Sequence, residues 1–329
     1  LQVRMTSIDD PDVSVPVQIT KMGDGNTSSS HNASVQCGSG SRKFSFDDFD
    51  IGRALGKGKF GTVYLAREKE HQFVVALKIL FIDEVVKYNV IHQLKREIDI
   101  QYHLRHPNIL RCYCYFREGN KISIVLEFAE KGNLYSLLKK VEKLTEEVTA
   151  SYVGQISDAL AYCHSKHVLH RDIKLENILI DGHGHVKLAD FGWSVHDKKQ
   201  GDRKTICGTV DYLPPEMISD NTCSTTVDNW AVGILMFECL TGKTPFQCKS
   251  QRDTLLLIKK CLFPMPTHFS PEAKDLLSKL LISDYQYRLG MKETATHDWV
   301  KKFAPNFIPV FSSGLMKRSN SFQLSPSIH

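Results

Sequence analysis

Two segments decide how this chain is interpreted: His170-Arg171-Asp172-Ile173-Lys174-Leu175-Glu176-Asn177 and, 18 residues after Asp172, Asp190-Phe191-Gly192. Transfer of a phosphoryl group requires an oriented acceptor hydroxyl, metal ions on the phosphates and positive charge where negative charge develops. The two segments supply each requirement. We expect Asp172 to orient the acceptor, Asn177 and Asp190 to hold Mg²⁺, and Lys174 to lie beside the transferred phosphate.

A glycine-rich segment lies between two predicted strands further upstream. It reads Gly56-Lys57-Gly58-Lys59-Phe60-Gly61-Thr62-Val63, and its glycines allow backbone N–H groups to approach phosphate oxygens closely. By itself this pattern fits a dinucleotide-binding fingerprint and a flexible hairpin equally well. No helical pattern follows it directly, which disfavours a Rossmann unit.

Lys78 ends the apolar strand segment Val75-Ala76-Leu77-Lys78, and Glu97 follows 19 residues later on a predicted helix. In one interpretation Glu97 holds the Lys78 ammonium against the α and β phosphates of a nucleotide. In the other, Lys78 belongs to an edge strand and keeps its ammonium in water.

Composition excludes several classes of protein. The 329 residues carry 42 Lys and Arg against 37 Asp and Glu, a formal charge of +5, and these charges are too scattered to predict a direct nucleic-acid partner. The nine cysteines form no paired framework, which fits a reducing compartment. The longest apolar run, Trp230 to Leu240, contains Glu238 and is about half of the ~20 residues a membrane span requires, so no membrane partner is expected.

Pattern changes along the chain predict its organisation. Residues 1–45 are rich in Ser and Thr and are expected to form a disordered tail. Alternating apolar residues then predict an antiparallel meander, followed by a helix on which Val86, Val90, Leu94 and Ile98 recur every four residues. The second half is predominantly helical in pattern, and residues 305–329 are expected to be a C-terminal tail.

From about Phe49 to Phe303 the chain resembles the eukaryotic protein kinase family. Pro214-Pro215-Glu216 is similar to the end of an activation segment, Asp228-Asn229-Trp230-Ala231-Val232-Gly233 to the helix that anchors the catalytic loop, and Arg288 to the ion-pair partner of Glu216. Lys174 together with Gly208-Thr209 resembles the serine/threonine branch. The resemblance implies an α+β, bilobal fold over residues 46–304. A small antiparallel β-sheet lobe with one main helix (46–130) would precede a larger, mainly helical lobe (131–304).

Within that branch, the chain resembles the Aurora kinases. The segments that carry this resemblance are Leu55–Gly61, His92–Glu97, Asp190-Phe191-Gly192-Trp193-Ser194-Val195-His196 and Cys207–Met217. Trp193 directly after Asp190-Phe191-Gly192 is uncommon among kinases. The short N-terminal tail favours the B or C class, whereas Cys114 stands where the A class tends to carry Gly and the B and C classes Asn.

The family resemblance implies a set of site residues for ATP and Mg²⁺. The catalytic residues would be Asp172, Lys174, Asn177, Lys78 and Glu97, and the metal ligands Asn177 and Asp190. ATP would be held by Leu55, Gly56, Lys57, Gly58, Lys59, Phe60, Gly61, Val63, Ala76, Lys78, Leu126, Glu127, Ala129, Glu176, Asn177, Leu179 and Asp190.

Regulation and partners follow from the same resemblance. Thr205, preceded by Arg203-Lys204 and followed by Ile206, resembles an activating phosphosite whose phosphate would order its loop. Glu176 is a candidate acceptor for a substrate arginine. The implied partners are protein substrates, with histone H3 as a candidate, and a small-lobe activator such as an inner centromere protein or a spindle assembly factor. The implied locations are nucleus and cytoplasm, and there the centrosome, spindle, centromere and midbody.

A competing interpretation belongs to another class. A chain with this fold can act as a scaffold that works mainly by binding partners, as pseudokinases do. Loss of Lys78, Asp172 or Asp190 would signal such a scaffold, and all three are present. The resemblance therefore implies an ATP- and Mg²⁺-dependent serine/threonine kinase that acts on basic-flanked sites in mitosis.

Overall fold

The computed structural model describes residues 44–58, 60–192, 194–196, 210–219, 223–312 and 314. These residues divide into two compact units. The sheet unit contains the described residues up to Val90 together with Cys112–Phe128, and the helical unit contains Ile91–Arg111 and the described residues from Ala129 onward.

The sheet unit is a five-stranded antiparallel sheet in the order β1-β2-β3-β5-β4. The predicted meander is confirmed, because the first strand pairs with the second and the second with the third. Its elements are β1 (Phe49–Lys57), β2 (Gly61–Glu68), β3 (Val74–Phe81), α1 (Ile82–Lys87), β4 (Cys112–Glu118) and β5 (Lys121–Glu127).

Alternation along these strands gives the sheet two different faces. On one face Val75, Leu77 and Val125 pack with the rings of Phe49 and Phe116 into an apolar core. The intervening residues of β2, β3 and β5 place their side chains on the other face. Lys78 is one of them. The apolar core thus fixes which face of the sheet is left for binding.

The helix predicted across Val86 to Ile98 is two helices, and the prediction was wrong on this point. Helix α1 ends at Lys87 and α2 (Ile91–His103) begins four residues later. Between them Asn89 has a left-handed φ of 54°, which a continuing helix does not accept. Val86 is accordingly 53% exposed, so its four-residue spacing to Val90 is not the repeat of a buried helix face.

The helical unit is built around two long helices. Helix α4 starts after Thr145, whose hydroxyl accepts the Val148 N–H as an N-cap. Helix α6 is buried along nearly its whole length, because it is apolar on all sides. The elements of this unit are α2, α3 (Leu134–Val141), α4 (Glu146–Ser165), β6 (Val168–Leu169), β7 (Ile178–Ile180), β8 (Val186–Leu188), β9 (Val195–His196), α5 (Pro215–Ser219), α6 (Thr226–Thr241), α7 (Gln251–Lys260), α8 (Pro271–Leu280), α9 (Met291–Ala295) and α10 (Asp298–Phe303).

Helix α2 contributes to the core of the helical unit. Ile100 and Leu104, at and just beyond its C-terminal end, are 4% exposed and belong to the same apolar cluster as Leu134 and Leu160. The small lobe expected from the sequence, residues 46–130, includes this helix. The grouping of α2 with the helical unit follows from contacts between residues, which spacing along the chain does not reveal.

The chain after α10 packs against α4 as far as Ser312, although the sequence assigns it to a tail. The buried Asp158 carboxylate accepts the backbone N–H groups of Val310, Phe311 and Ser312 at 2.7, 2.9 and 2.7 Å. His106 Nε2 donates to the same carboxylate at 3.2 Å. Burial by itself would raise the pKa of Asp158, but these hydrogen bonds outweigh it and lower the pKa to about 2.

Replacement of Asp158 by Ala is expected to lower the free energy of unfolding by about 3 kcal/mol, because four donors lose a charged acceptor. The folded-state pKa of about 2 lies below the ordinary 3.8, so the stabilisation is complete above pH 4 and is lost as the pH falls toward 2. Urea unfolding of both proteins at several pH values checks this. Asp298→Ala, at a carboxylate 84% exposed, is the control and should change stability little; equal effects of the two variants would contradict the assignment.

Candidate functional site

The loop between β6 and β7 brings three of the predicted catalytic residues together. Lys174 Nζ lies 2.8 Å from Asp172 Oδ2. The Asn177 side-chain NH₂ donates to the Asp172 carbonyl at 2.8 Å and to Asp172 Oδ2 at 2.9 Å. Because both amide hydrogens are used in this way, the Asn177 side-chain oxygen is directed away from Asp172.

A buried carboxylate on α6 holds the start of this loop. Asp228 accepts the backbone N–H of His170 at 3.0 Å and that of Arg171 at 2.8 Å, and the His164 Nε2–H donates to it at 2.8 Å. Arg171 has a left-handed φ of 68°, a strained conformation that surrounding contacts must stabilise. Burial alone would raise the pKa of Asp228, but the His164 contact and the backbone N–H groups lower it below its usual range.

His170 supports the same loop as a neutral ring. Its Nδ1 accepts the Asp172 N–H at 3.3 Å and its Nε2–H donates to the Ala189 carbonyl at 3.1 Å, which fixes the tautomer. Complete burial lowers the pKa of His170 despite the nearby carboxylates. Its ring meets that of Phe191 edge to face at 4.8 Å.

The hairpin of β7 and β8 carries Asp190 next to Asn177. Ile178 pairs with Leu188, and the Ala189 N–H then donates to the Asn177 carbonyl at 2.9 Å. Asp190 is exposed and has a left-handed φ of 63°, and its Oδ1 accepts the Gly192 N–H at 3.3 Å. The predicted pair Asn177 and Asp190 is therefore joined through the backbone.

Glu97 of α2 approaches the Asp190-Phe191-Gly192 segment. A methyl group built on Gly192 would lie 3.3 Å from Glu97 Oε2 and 3.1 Å from Asp190 Oδ1. Both distances are tighter than side-chain carbons normally tolerate, so a larger residue here would displace one of the two carboxylates. Glu97, Asp190 and the catalytic loop thus lie in one region of the helical unit.

In the sheet unit, register places a second group of predicted residues on one face. Val63 is opposite Gly56 and Lys78, and Ala76 is opposite Leu126. Strand β3 lies between β2 and β5, so the interpretation of Lys78 as an edge-strand lysine is wrong. Ala76 and Leu126 are buried, whereas Leu55, Val63, Lys78 and Glu127 are partly exposed.

The glycine-rich segment between β1 and β2 is a tight turn in which Gly58 N–H donates to the Gly61 carbonyl at 2.8 Å. A methyl group on Gly61 would lie 1.9 Å from the Ile79 carbonyl oxygen, so packing against β3 requires this glycine. A methyl group on Gly56 would meet nothing within 4 Å, and one on Gly58 only an ordinary contact at 3.7 Å. The fold itself does not require glycine at these two positions.

The remaining predicted residues are divided between the two units. Ala129 and Leu179 belong to the helical unit, where Leu179 forms an isolated bridge with Asn133. Glu176 is exposed on the turn that follows Lys174. Lys59, Trp193 and Thr205 lie outside the described residues.

The expected pairing of Glu216 with Arg288 is confirmed. The Arg288 guanidinium donates to both carboxylate oxygens of Glu216, at 2.7 and 3.0 Å, in a fully buried site. It also donates to the carbonyls of Thr226 and Ile282 and lies 5.0 Å from the centre of the Trp230 ring. A planar, bidentate donor is needed for this geometry, which fixes α5 to the start of α6.

Glu238 is a residue that the sequence interpretation did not assign to the site. The Tyr212 hydroxyl donates to its carboxylate. Burial raises the pKa of Glu238, and the charges of Glu176 and Asp211 raise it further although the Tyr212 bond opposes them. The sequence did contain a signal for this contact. Glu238 is the single charged residue in the apolar run Trp230 to Leu240, and a charge in such a run indicates a buried polar contact.

Comparison with known proteins agrees with this geometry. A family model described as "Protein kinase domain" matches residues 49–300. An Aurora kinase of Dictyostelium discoideum is 50% identical over 263 residues, covering 80% of this chain and 68% of that protein. Aurora kinase B of Danio rerio is 49% identical over 271 residues, covering 82% and 84%. The chain belongs to the Aurora family of serine/threonine protein kinases.

Aurora kinases of other types match almost equally well. Aurora kinase A-A of Xenopus laevis is 48% identical over 261 residues, which cover 79% of this chain and 64% of that protein. Because the identities to the A-type and B-type relatives are nearly equal, they do not assign this chain to either class. Family membership does establish that this Aurora kinase is a transferase that uses ATP and a divalent metal and acts on protein substrates.

Within the described part of the chain, helices that combine the length and the apolar character required for a membrane span are absent.

Substitution of Asp228 by Asn is expected to lower kcat by about 10- to 100-fold, because two loop N–H groups lose a charged acceptor and Asp172 moves from its position. Steady-state kinetics with a peptide substrate checks this. Asp253→Asn is the matched control, since Asp253 also lies in the first turn of a helix but is exposed. Unchanged kcat in the Asp228 variant would show that the loop does not depend on this carboxylate.

Proposed function

We propose that this Aurora kinase transfers the γ-phosphate of Mg²⁺-bound ATP to Ser or Thr in basic-flanked protein sites, and that it regulates mitosis. The observation that carries the proposal is the set of hydrogen bonds joining Asp172, Lys174 and Asn177, with Asp190 tied to Asn177 through the backbone. An acceptor-orienting carboxylate, a cation and two oxygen ligands are thus gathered in one loop region.

Asp172 is proposed to orient the acceptor hydroxyl and to receive its proton. Lys174, 2.8 Å from Asp172 Oδ2 and 23% exposed in its side chain, would place its positive charge beside the phosphoryl group in transit. Lys78, with Glu97 as its proposed partner, would bind the α and β phosphates.

The oxygen donors of Asn177 and Asp190 fit a hard divalent cation. Asn177 has committed its NH₂ group to Asp172, which leaves its side-chain oxygen for another partner, and the Asp190 carboxylate is exposed beside it. Amide and carboxylate oxygens are the ligands that Mg²⁺ accepts. When bound, Mg²⁺ would neutralise phosphate charge.

The sheet face with Val63, Ala76 and Leu126 is proposed to contact the adenine, together with Leu55, Ala129 and Leu179 and with backbone groups of Glu127 and Ala129. Gly56 and Gly58 support a phosphate site, because their open surroundings show that the fold does not demand glycine there. The absence of side chains at these positions would let phosphate oxygens approach the backbone of this turn closely.

Preference for basic flanks is supported by a group of acidic residues. Glu176 is exposed after Lys174, and its charge is felt by Glu238 and Tyr212. Like charges held close together are stabilised by a cation, which favours a substrate Arg or Lys.

Regulation is proposed to follow the family pattern. Phosphate on Thr205 would pair with basic residues such as Arg171 and order its loop. An activator docking on the small lobe, such as an inner centromere protein or a spindle assembly factor, would complete activation. Histone H3 is the candidate substrate, and centrosome, spindle, centromere and midbody are the proposed sites of action, with the B or C class favoured.

The first test is turnover of radiolabelled ATP on a histone H3 tail peptide, with protein phosphorylated on Thr205 and with each candidate activator. Asp190→Asn is expected to lower transfer more than about a hundredfold, because an amide does not supply the charge that the metal requires. Asp298→Asn is the control on an exposed carboxylate. Absence of transfer by the folded wild-type protein under every condition would favour the scaffold function instead.

The second test addresses the basic flank. Glu176→Gln is expected to raise KM about tenfold for a peptide with Arg two residues before the acceptor, and to leave a peptide with Leu at that position unaffected. Glu142→Gln, on an exposed residue that follows α3, serves as control. An equal change for both peptides would remove Glu176 from substrate recognition.

A further inference from the structure

Phe44–Asp48, here called the N-terminal clasp, packs on the apolar core of the sheet unit. The Phe44 ring lies 5.8 Å from that of Phe49, and the Phe46 ring meets that of Phe116 edge to face at 5.4 Å. Lys121 Nζ lies 5.2 Å from the centre of the Phe46 ring. Contacts of this kind between aromatic rings each contribute about 1 kcal/mol, so the clasp is a small structure that a local change can open.

Polar contacts of the clasp centre on one carboxylate. Asp48 Oδ2 accepts both the Ser45 N–H at 2.8 Å and the Ser45 Oγ–H at 3.1 Å. The Phe46 N–H donates to Glu118 Oε2 at 2.9 Å, and the Lys69 N–H to the Asp48 carbonyl at 2.9 Å. The Ser45 hydroxyl therefore lies against the Asp48 carboxylate, while Glu118 and Lys121 contact Phe46.

The sequence around Ser45 matches the chain's own candidate phosphosite. Arg42-Lys43-Phe44-Ser45-Phe46 and Arg203-Lys204-Thr205-Ile206 both have a basic residue two positions before the hydroxyl and an apolar residue after it. Among the residues that the structure describes, Ser123, Thr254 and Thr294 share this pattern, but they are 0%, 4% and 0% exposed. Ser45 is partly exposed, and its backbone is extended, with φ −133° and ψ 174°.

We propose that Ser45 is a phosphorylation site for a second copy of this kinase, and that its phosphate opens the N-terminal clasp. The proposal rests on the proposed function, whose substrate preference it applies to the chain itself. The Ser45 oxygen forms a bond to the γ-phosphorus of ATP, the bond from that phosphorus to the β,γ-bridging oxygen breaks, ADP leaves, and the hydroxyl proton passes to Asp172 of the copy that acts as enzyme.

The negative charge of the phosphate on Ser45 is the reason that the N-terminal clasp opens. A phosphate adds about −1.5 to −2 charge at neutral pH where the Ser45 hydroxyl now donates to Asp48. The hydroxyl hydrogen bond that Asp48 accepted is lost, and the new anion lies beside the Asp48 carboxylate.

Mass spectrometry after incubation of the full chain with MgATP tests the site, with a basic-flanked peptide present as a second substrate. We expect phosphate on Ser45, none on Ser45→Ala, and about tenfold slower labelling of Ser45 in Lys43→Ala at an unchanged peptide rate. Peptide phosphorylation without phosphate on Ser45 would overturn this proposal alone. Absence of transfer to both the peptide and the chain would overturn the proposed function.

Hydrogen exchange tests the opening. Amides of residues 45–48 are expected to exchange about tenfold faster in the Ser45-phosphorylated protein than in the unmodified one, because a charge-assisted hydrogen bond is lost. Asp48→Asn is the matched control: it removes the repelling charge but keeps an acceptor oxygen, so phosphorylation should accelerate exchange less. Equal exchange with and without phosphate would show that Ser45 phosphorylation does not open the clasp.

Discussion

The arrangement of the site depends on one buried carboxylate in the first turn of α6. Asp228 receives the backbone N–H groups of His170 and Arg171 and the His164 ring, and so holds a strained loop against the most buried helix of the protein. A helix N-terminus stabilises such a charge, and the charge in turn makes the bonds short and strong. Asp172, Lys174 and Asn177 take their positions from this anchor.

A second buried carboxylate, Glu216 of α5, is joined to the start of α6 through Arg288, which donates to Glu216 and to the Thr226 carbonyl. Both interactions are buried and charged, and removal of one partner would leave an uncompensated charge in the interior. The helical unit thus uses α6 as a rigid support to which the catalytic loop and α5 are fastened. In the sheet unit, the aromatic core has the corresponding role, because it determines which face of the sheet carries Lys78, Ala76 and Val63.

Sequence reasoning succeeded where the pattern is local and failed where packing decides. The antiparallel meander and the glycine-rich turn between its first two strands were predicted from residues that lie close together in the sequence. The four-residue repeat from Val86 to Ile98 was misleading, because Asn89 breaks the helix and Val86 faces solvent. The packing of residues 310–312 was missed because its partner, Asp158, lies about 150 residues earlier, and backbone N–H groups leave no signature in a sequence.

The sequence alone predicted the fold class and the family, because motifs whose residues lie close together in the chain carry the resemblance. Only the tertiary structure decided that His164 supports Asp228, that Glu238 joins Tyr212, and that Lys78 lies on a central strand. These facts depend on contacts between distant segments. Such contacts arise from burial and hydrogen-bond satisfaction in three dimensions, which spacing along the chain does not specify.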